Sequence, residues 1–93
     1  MNKHDAHELL SRRIAELRPL PYRDLLSFLG NPQLTDAIGP SGARYAIEAE
    51  AFWDDRPAGN LRVIVSIDDG GWSAFSPMTS DFIKGPDDRF VGE

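Results

Sequence analysis

The spacing of apolar residues is helical through Met1–Gly30 and alternating beyond it. Ala6, Leu9, Leu10, Ile14 and Leu17 fall on one face at helical spacing, with Arg12, Arg13 and Glu16 elsewhere, which predicts a helix over 5–18. Asp5, followed three residues later by Glu8, resembles a capping box with Asp in the leading position. Pro19 ends this helix, because the residue before a proline avoids the α region. Pro21 occupies the first position of a second helix over 21–29. Leu25, Leu26, Phe28 and Leu29 supply its apolar side, and Gly30 stops it.

Beyond Asn31 the period shortens to two. Leu34–Ile38 reads either as one helical turn capped by Asn31 or as a strand. The following Gly39-Pro40-Ser41-Gly42 has the chemistry of a short hairpin loop, which favours an edge strand over 34–38. Arg44–Trp53 alternates as a strand. Tyr45, Ile47, Ala49, Ala51 and Trp53 point to one side, and Ala46, Glu48, Glu50 and Phe52 to the other. After the loop DDRPAGN over 54–60, a strand over 61–68 continues the first side with Leu61, Val63, Val65 and Ile67. A two-residue Asp69-Gly70 turn then brings back a fourth strand over 71–77, which opposes Ile67 to Trp72, Val65 to Ala74 and Ile64 to Phe75. A Gly70-Gly71 turn would group the large apolar residues less well. Extended pieces over 82–84 and 89–91 flank Gly85-Pro86-Asp87-Asp88.

These elements predict a single α+β domain over 1–93. Two N-terminal helices pack on one face of a four-stranded antiparallel β-meander, and a C-terminal extended segment or short hairpin completes it. The second face carries Glu48, Glu50, Arg62, Ser66 and Ser73, with Phe52, Ile64 and Phe75 clustered among them. Either the terminal segment with Phe82, Ile83, Phe90 and Val91 covers that cluster, or a partner does.

Charge sharpens this picture. The formal net charge is −5 over 93 residues, and Met1–Gly30 is nearly balanced, so the acidic excess lies in the strand-rich part. The sheet side is therefore expected to be negative and to suit a basic protein partner rather than nucleic acid or an anionic membrane. Arg12, Arg13, Arg18 and Arg23 form the basic cluster, but acids are interspersed among them. The absence of cysteine excludes disulfides, zinc-thiolate sites and thiol catalysis, and suits the cytoplasm. No segment has the length and apolarity of a membrane span or the apolar run of a signal peptide.

Candidate chemistry is sparse. The doublets Asp54-Asp55, Asp68-Asp69 and Asp87-Asp88 could in principle hold a divalent cation or do acid–base work. The first two, however, lie at opposite ends of the sheet, separated by ~25 Å. Aspartate is also a standard turn residue. His4 and His7 are three apart near a terminus with no identifiable third ligand. Ser41 lies in a turn with no histidine placed as base. No catalytic, metal or cofactor site is therefore assigned. Trp53 and Trp72 read first as core packing. The sequence FWDDRPAGN nevertheless combines an aromatic with charges in a loop, a common composition for contact sites. The candidate binding residues are Phe52, Trp53, Asp54, Asp55 and Arg56, together with Ile64 and Phe75. The expected function is a non-enzymatic protein-interaction or regulatory module. The alternatives are homodimerisation through the second face or the edge strand, and a small aspartate-using or metal-dependent hydrolase.

Overall fold

A computed structural model of the chain describes residues 1–71 and 77–93. It is a compact α+β structure built from two helices and one four-stranded antiparallel sheet. Helix α1 spans Lys3–Leu17 and α2 spans Tyr22–Leu25, continued by a 3-10 turn over Leu26–Phe28. The strands are β1 Gln33–Ile38, β2 Arg44–Trp53, β3 Leu61–Asp68 and β4 Met78–Lys84, in spatial order β1-β2-β3-β4.

Two details of the helices differ from expectation. The N-cap of α1 is Asn2, whose side chain accepts from the Asp5 N–H, so Asp5 sits inside the first turn instead of capping it. An Asp-x-x-Glu pattern looks the same in either frame, and here the carboxylate is needed elsewhere. Pro21 is likewise the N-cap of α2, with extended backbone, and not its first helical residue.

The fourth strand differs more. Ile67 pairs with Met78, Val65 with Ser80 and Ile64 with Asp81, while the other edge of β3 pairs with β2. Both edges of β3 are thus occupied by residues other than 71–77. The expected pairings of Ile67 with Trp72, Val65 with Ala74 and Ile64 with Phe75 are overturned from the β3 side. Trp72, Ala74 and Phe75 themselves lie outside the described residues. The expected extended piece over 82–84 is the end of β4; its start is hidden in the sequence because two of the four core-side positions are Ser80 and Lys84, which break the apolar alternation of Met78 and Phe82.

Alternation is strict in the two central strands. Tyr45, Ile47, Ala49 and Ala51 of β2 are buried, as are Leu61, Val63, Val65 and Ile67 of β3. They form one core with Ala6, Leu9, Leu10 and Leu17 of α1, Leu25 of α2 and Phe28 of the 3-10 turn. Ala49 and Ala51 leave space on β2, and the 3-10 turn lies against that strand. α1 lies against β3 and β4. As a result β1 is the least covered element: five of its six residues are exposed and Ala37 is half-buried.

Two buried polar groups tie the helices to the sheet. The Asp5 carboxylate, 1% exposed, accepts from the Ser41 N–H at 3.2 Å, from the Ser41 hydroxyl, and from the Tyr45 hydroxyl at 3.2 Å. Gly39 passes so close that a β-carbon there would lie 2.5 Å from an Asp5 oxygen. At the opposite end of α1, Lys84 Nζ donates to the carbonyls of Arg18 and Leu20 at 2.6 and 2.7 Å.

Candidate functional site

The residues singled out from sequence fall on different sides of the sheet. Trp53 is half-buried and packs against the core. Phe52 points to the opposite, outer face and is 43% exposed. Asp54 engages Arg62, with Oδ1 accepting from Nη2 at 2.8 Å and from Nε at 3.0 Å. Asp55 serves its own loop, its Oδ1 accepting from the N–H groups of Arg56 and Asn60, each at 2.8 Å. Those bonds, the Arg56 one foremost, hold its carboxyl below the usual carboxylate range. Arg56 is exposed.

The 54–60 loop is therefore internally braced. The Asp54 N–H donates to the Asn60 carbonyl at 2.8 Å, the Gly59 N–H to the Arg56 carbonyl at 3.0 Å, and the Tyr22 hydroxyl to the Gly59 carbonyl at 2.7 Å. A β-carbon on Gly59 would meet the Asp55 carboxylate at 2.5 Å. Ala58 takes a left-handed conformation, φ 64°, which disfavours any residue with a β-carbon. Ala58→Gly is expected to stabilise the protein by about 0.5 kcal/mol, because relief of that strain exceeds the added chain entropy. Urea denaturation reads the change, and an unchanged or lowered midpoint would show that the loop is not held in this conformation.

The aspartate doublets do not converge into one site. The β2–β3 register places Asp68 opposite Ala46, so Asp68 and Asp54 lie at opposite ends of β2. Asp68 and Asp69 accept from the Gly70 and Gly71 N–H groups at 2.9 and 3.0 Å. Asp87 accepts from the Arg89 N–H at 3.1 Å and Asp88 from the Tyr22 N–H at 2.6 Å. Asp68, Asp69 and Asp87 thus satisfy local backbone donors, as expected of turn residues, whereas Asp88 reaches the first residue of α2, 66 positions away. Among the described residues, no group of three His, Asp or Glu side chains is arranged to hold a metal ion. His4 Nε2 lies 4.0 Å from a Glu8 carboxylate oxygen.

The outer face of the sheet is a checkerboard of acidic and apolar side chains. Strand pairing sets Phe52, Arg62 and Ile83 in one row and Glu50, Ile64 and Asp81 in the next. Then come Leu34, Glu48, Ser66 and Thr79, followed by Asp36, Ala46 and Asp68. Ile64 and Phe52 are diagonal neighbours; Phe75, expected to join them, lies outside the described residues. Arg62 bridges Asp54 and Asp81 across the strands, and the Asp54 contact foremost raises its pKa. With Arg44, Arg62 supplies two positive charges on this face against Asp36, Glu48, Glu50, Asp68 and Asp81. Leu34 and Ile38 project from β1 onto this same face, 73% and 65% exposed. An open groove of about 460 Å³ lies at its end, lined in part by Asp36, Ile38, Arg44, Ala46 and Asp68.

Leu34, Asp36 and Ile38 were not among the residues picked out from sequence. The signal was their parity with Glu48 and Ala46 once β1 is an edge strand. On the helix side of β1, a furrow of about 250 Å³ is lined by Leu9, Arg12, Arg13, Thr35, Ala37 and Ile47. The helix arginines are each near a carboxylate: Arg12 with Glu8 at 3.2 Å, Arg13 with Glu16 at 3.3 Å, Arg18 with Glu93 at 2.6 Å and Arg23 with Asp24 at 4.0 Å. No helix among the described residues is long and apolar enough to cross a membrane. Compared with protein-family models, curated proteins and solved structures, the chain matches none.

Proposed function

We propose that this chain is a non-enzymatic protein-interaction module whose outer sheet face, the face turned away from the helices, docks a basic protein. The observation that carries the reading is the checkerboard itself. Five carboxylates and two arginines share a face with Phe52, Ile64, Ile83, Leu34 and Ile38, and apolar side chains set among an excess of one sign of charge are the composition of a steered contact surface. The braced 54–60 loop bounds this surface through Asp54 and Arg62. The carboxylate doublets are committed to backbone donors or to Arg62, which supports binding over hydrolysis. The paired helix arginines leave little basic surface for nucleic acid. A cysteine-free single domain suits the reducing cytoplasm.

The test is affinity capture with the wild-type chain and with a Glu48→Lys/Glu50→Lys variant. The wild type is expected to retain basic proteins at low salt and to release them as salt approaches ~1 M. The variant should retain roughly tenfold less. Equal capture by both chains at every salt concentration would refute a charge-guided outer face.

A further inference from the structure

The open edge of β1 says more about how a partner would bind. In an antiparallel ladder, close hydrogen-bonded pairs alternate with wide ones. The Gly39 N–H donates to the Ala43 carbonyl at 2.9 Å, and this pair continues the β1–β2 register. Stepping two residues at a time, Ala37, Thr35 and Gln33 turn their backbone groups towards β2. Leu34, Asp36 and Ile38 therefore turn their N–H and C=O groups to the outer edge, where the described residues place no further strand. The same three residues carry their side chains on the acidic face.

We infer that β1 accepts an added antiparallel strand from the partner, with a lysine or arginine opposite Asp36 and apolar residues two positions to either side. This rests on the reading of the outer face as a docking surface and specifies its partner. Backbone donors and acceptors at Leu34, Asp36 and Ile38 supply the pairing. The apolar residues of the incoming strand lie against Leu34 and Ile38, and its cation lies beside the Asp36 carboxylate, at the outer end of the row that runs through Ala46 to Asp68. Its alternate side chains point to the helix side, over the furrow between α1 and β1.

Charge also selects against the nearest competitor, a second copy of this chain. Two β1 strands related by a twofold axis at residue 36 would pair Leu34 with Ile38 favourably. They would, however, set Asp36 directly opposite its own copy, and like charges directly opposite destabilise a ladder. Shifting by two residues relieves the clash but breaks the apolar pairs. A cation in place of the facing aspartate satisfies both conditions.

The probe is a synthetic peptide with the central sequence Val-Thr-Lys-Thr-Val, compared with the same peptide carrying Glu for Lys, each added to the full isotope-labelled chain at low salt. The lysine peptide is expected to slow amide exchange at Leu34, Asp36 and Ile38, and to bind roughly fivefold or more tightly than the glutamate peptide. Asp36→Lys should reverse that order. If the lysine peptide shifts Glu48 and Ile64 resonances without protecting the three edge amides, strand addition is wrong while face docking survives. If neither peptide perturbs the face or the edge, both readings fall. A preference unchanged by Asp36→Lys also overturns the proposed pairing.

Discussion

Asp5→Ala is expected to lower the thermal midpoint by roughly 10–20 °C, because it strips a buried acceptor from three donors at once. The carboxylate takes the Ser41 N–H, the Ser41 hydroxyl and the Tyr45 hydroxyl, and it is 1% exposed. Removing it leaves the Tyr45 O–H, buried beneath the β1–β2 turn, without the acceptor it donates to. It also opens a void beside Gly39, whose missing side chain is what lets the carboxylate approach. Tyr45→Phe removes a donor and leaves the carboxylate its Ser41 partners, so its loss should be well under half as large. A midpoint within ~3 °C of wild type for Asp5→Ala would mean that the α1-to-turn connection contributes little to stability.

The same cluster sets a pH dependence whose sign follows from the direction of each shift. Hydrogen bonding from the Ser41 side chain, reinforced by its N–H and by Tyr45, holds the Asp5 carboxyl below its ordinary 3.8 against the opposing effect of burial. The folded state thus favours the charged form. That stabilisation is fully present above the ordinary value and is lost as pH falls through the lower folded-state value. Burial, together with the bond to Asp5, raises the Tyr45 phenol above its ordinary 10.0, so its contribution is complete below that pH and is lost on the alkaline side. Asp5→Asn should flatten the acid limb of stability without abolishing it, since Asp55 and Glu93 are also held low by the Arg56 N–H and by Arg18 respectively. Urea midpoints between ~pH 3 and ~pH 7 read this directly, and an acid limb of unchanged steepness would remove Asp5 from the account.

How much of this was legible in the sequence depends on whether a residue's partner is local. The inner and outer sides of β2 and β3 follow from alternation alone, because a burial period of two has one solution. The turn after β1 was legible for the same reason: Gly42, at φ 91°, and Pro40 act within their own hairpin. Outer placement of Phe52 and Ile64 came with the parity of their strands. Of β4 only the end over 82–84 was legible, because Ser80 and Lys84 take inward positions, whereas the sequence Trp72-Ser73-Ala74-Phe75 alternates more strictly. Asp5 was misread because its partners lie 36 and 40 residues away, while a plausible local role stood three residues off. The core-side packing of Trp53 was legible from its parity with Ala51 and Tyr45.

These long-range polar ties bear on the proposed docking surface. Asp5 holds the start of α1 to the turn after β1, and Lys84 holds its end to β4, so the helix is fixed at both ends on the inner side. α1 lies over β3 and β4, and β1 is left with little cover on either face and an open edge. A six-residue edge strand bearing one central aspartate and preceded by Pro32 is short and charged enough to resist indiscriminate pairing. It can still accept a strand whose charge answers Asp36.

Lys84→Met is expected to destabilise the protein by about 2–3 kcal/mol, although methionine preserves most of the buried hydrocarbon. Replacing buried charges by apolar groups is often neutral when both partners are replaced. Here one partner is backbone and cannot be. The Lys84 ammonium donates to the carbonyls of Arg18 and Leu20, just beyond the end of α1, and that helix has no basic residue of its own in its last turn. Lysine therefore supplies from β4 both the donors and the positive charge that a helix C-terminus favours. The Phe90 ring lies 4.7 Å from the same ammonium and 3.9 Å from the Arg18 guanidinium, so the C-terminal segment closes over the cluster. Phe90→Ala should accordingly cost less, about 1 kcal/mol, by losing the ring contacts while both carbonyls keep their donor. Denaturation of the two variants separates these contributions. A Lys84→Met chain within ~0.5 kcal/mol of wild type would mean that water satisfies both carbonyls and that β4 does not anchor the helix.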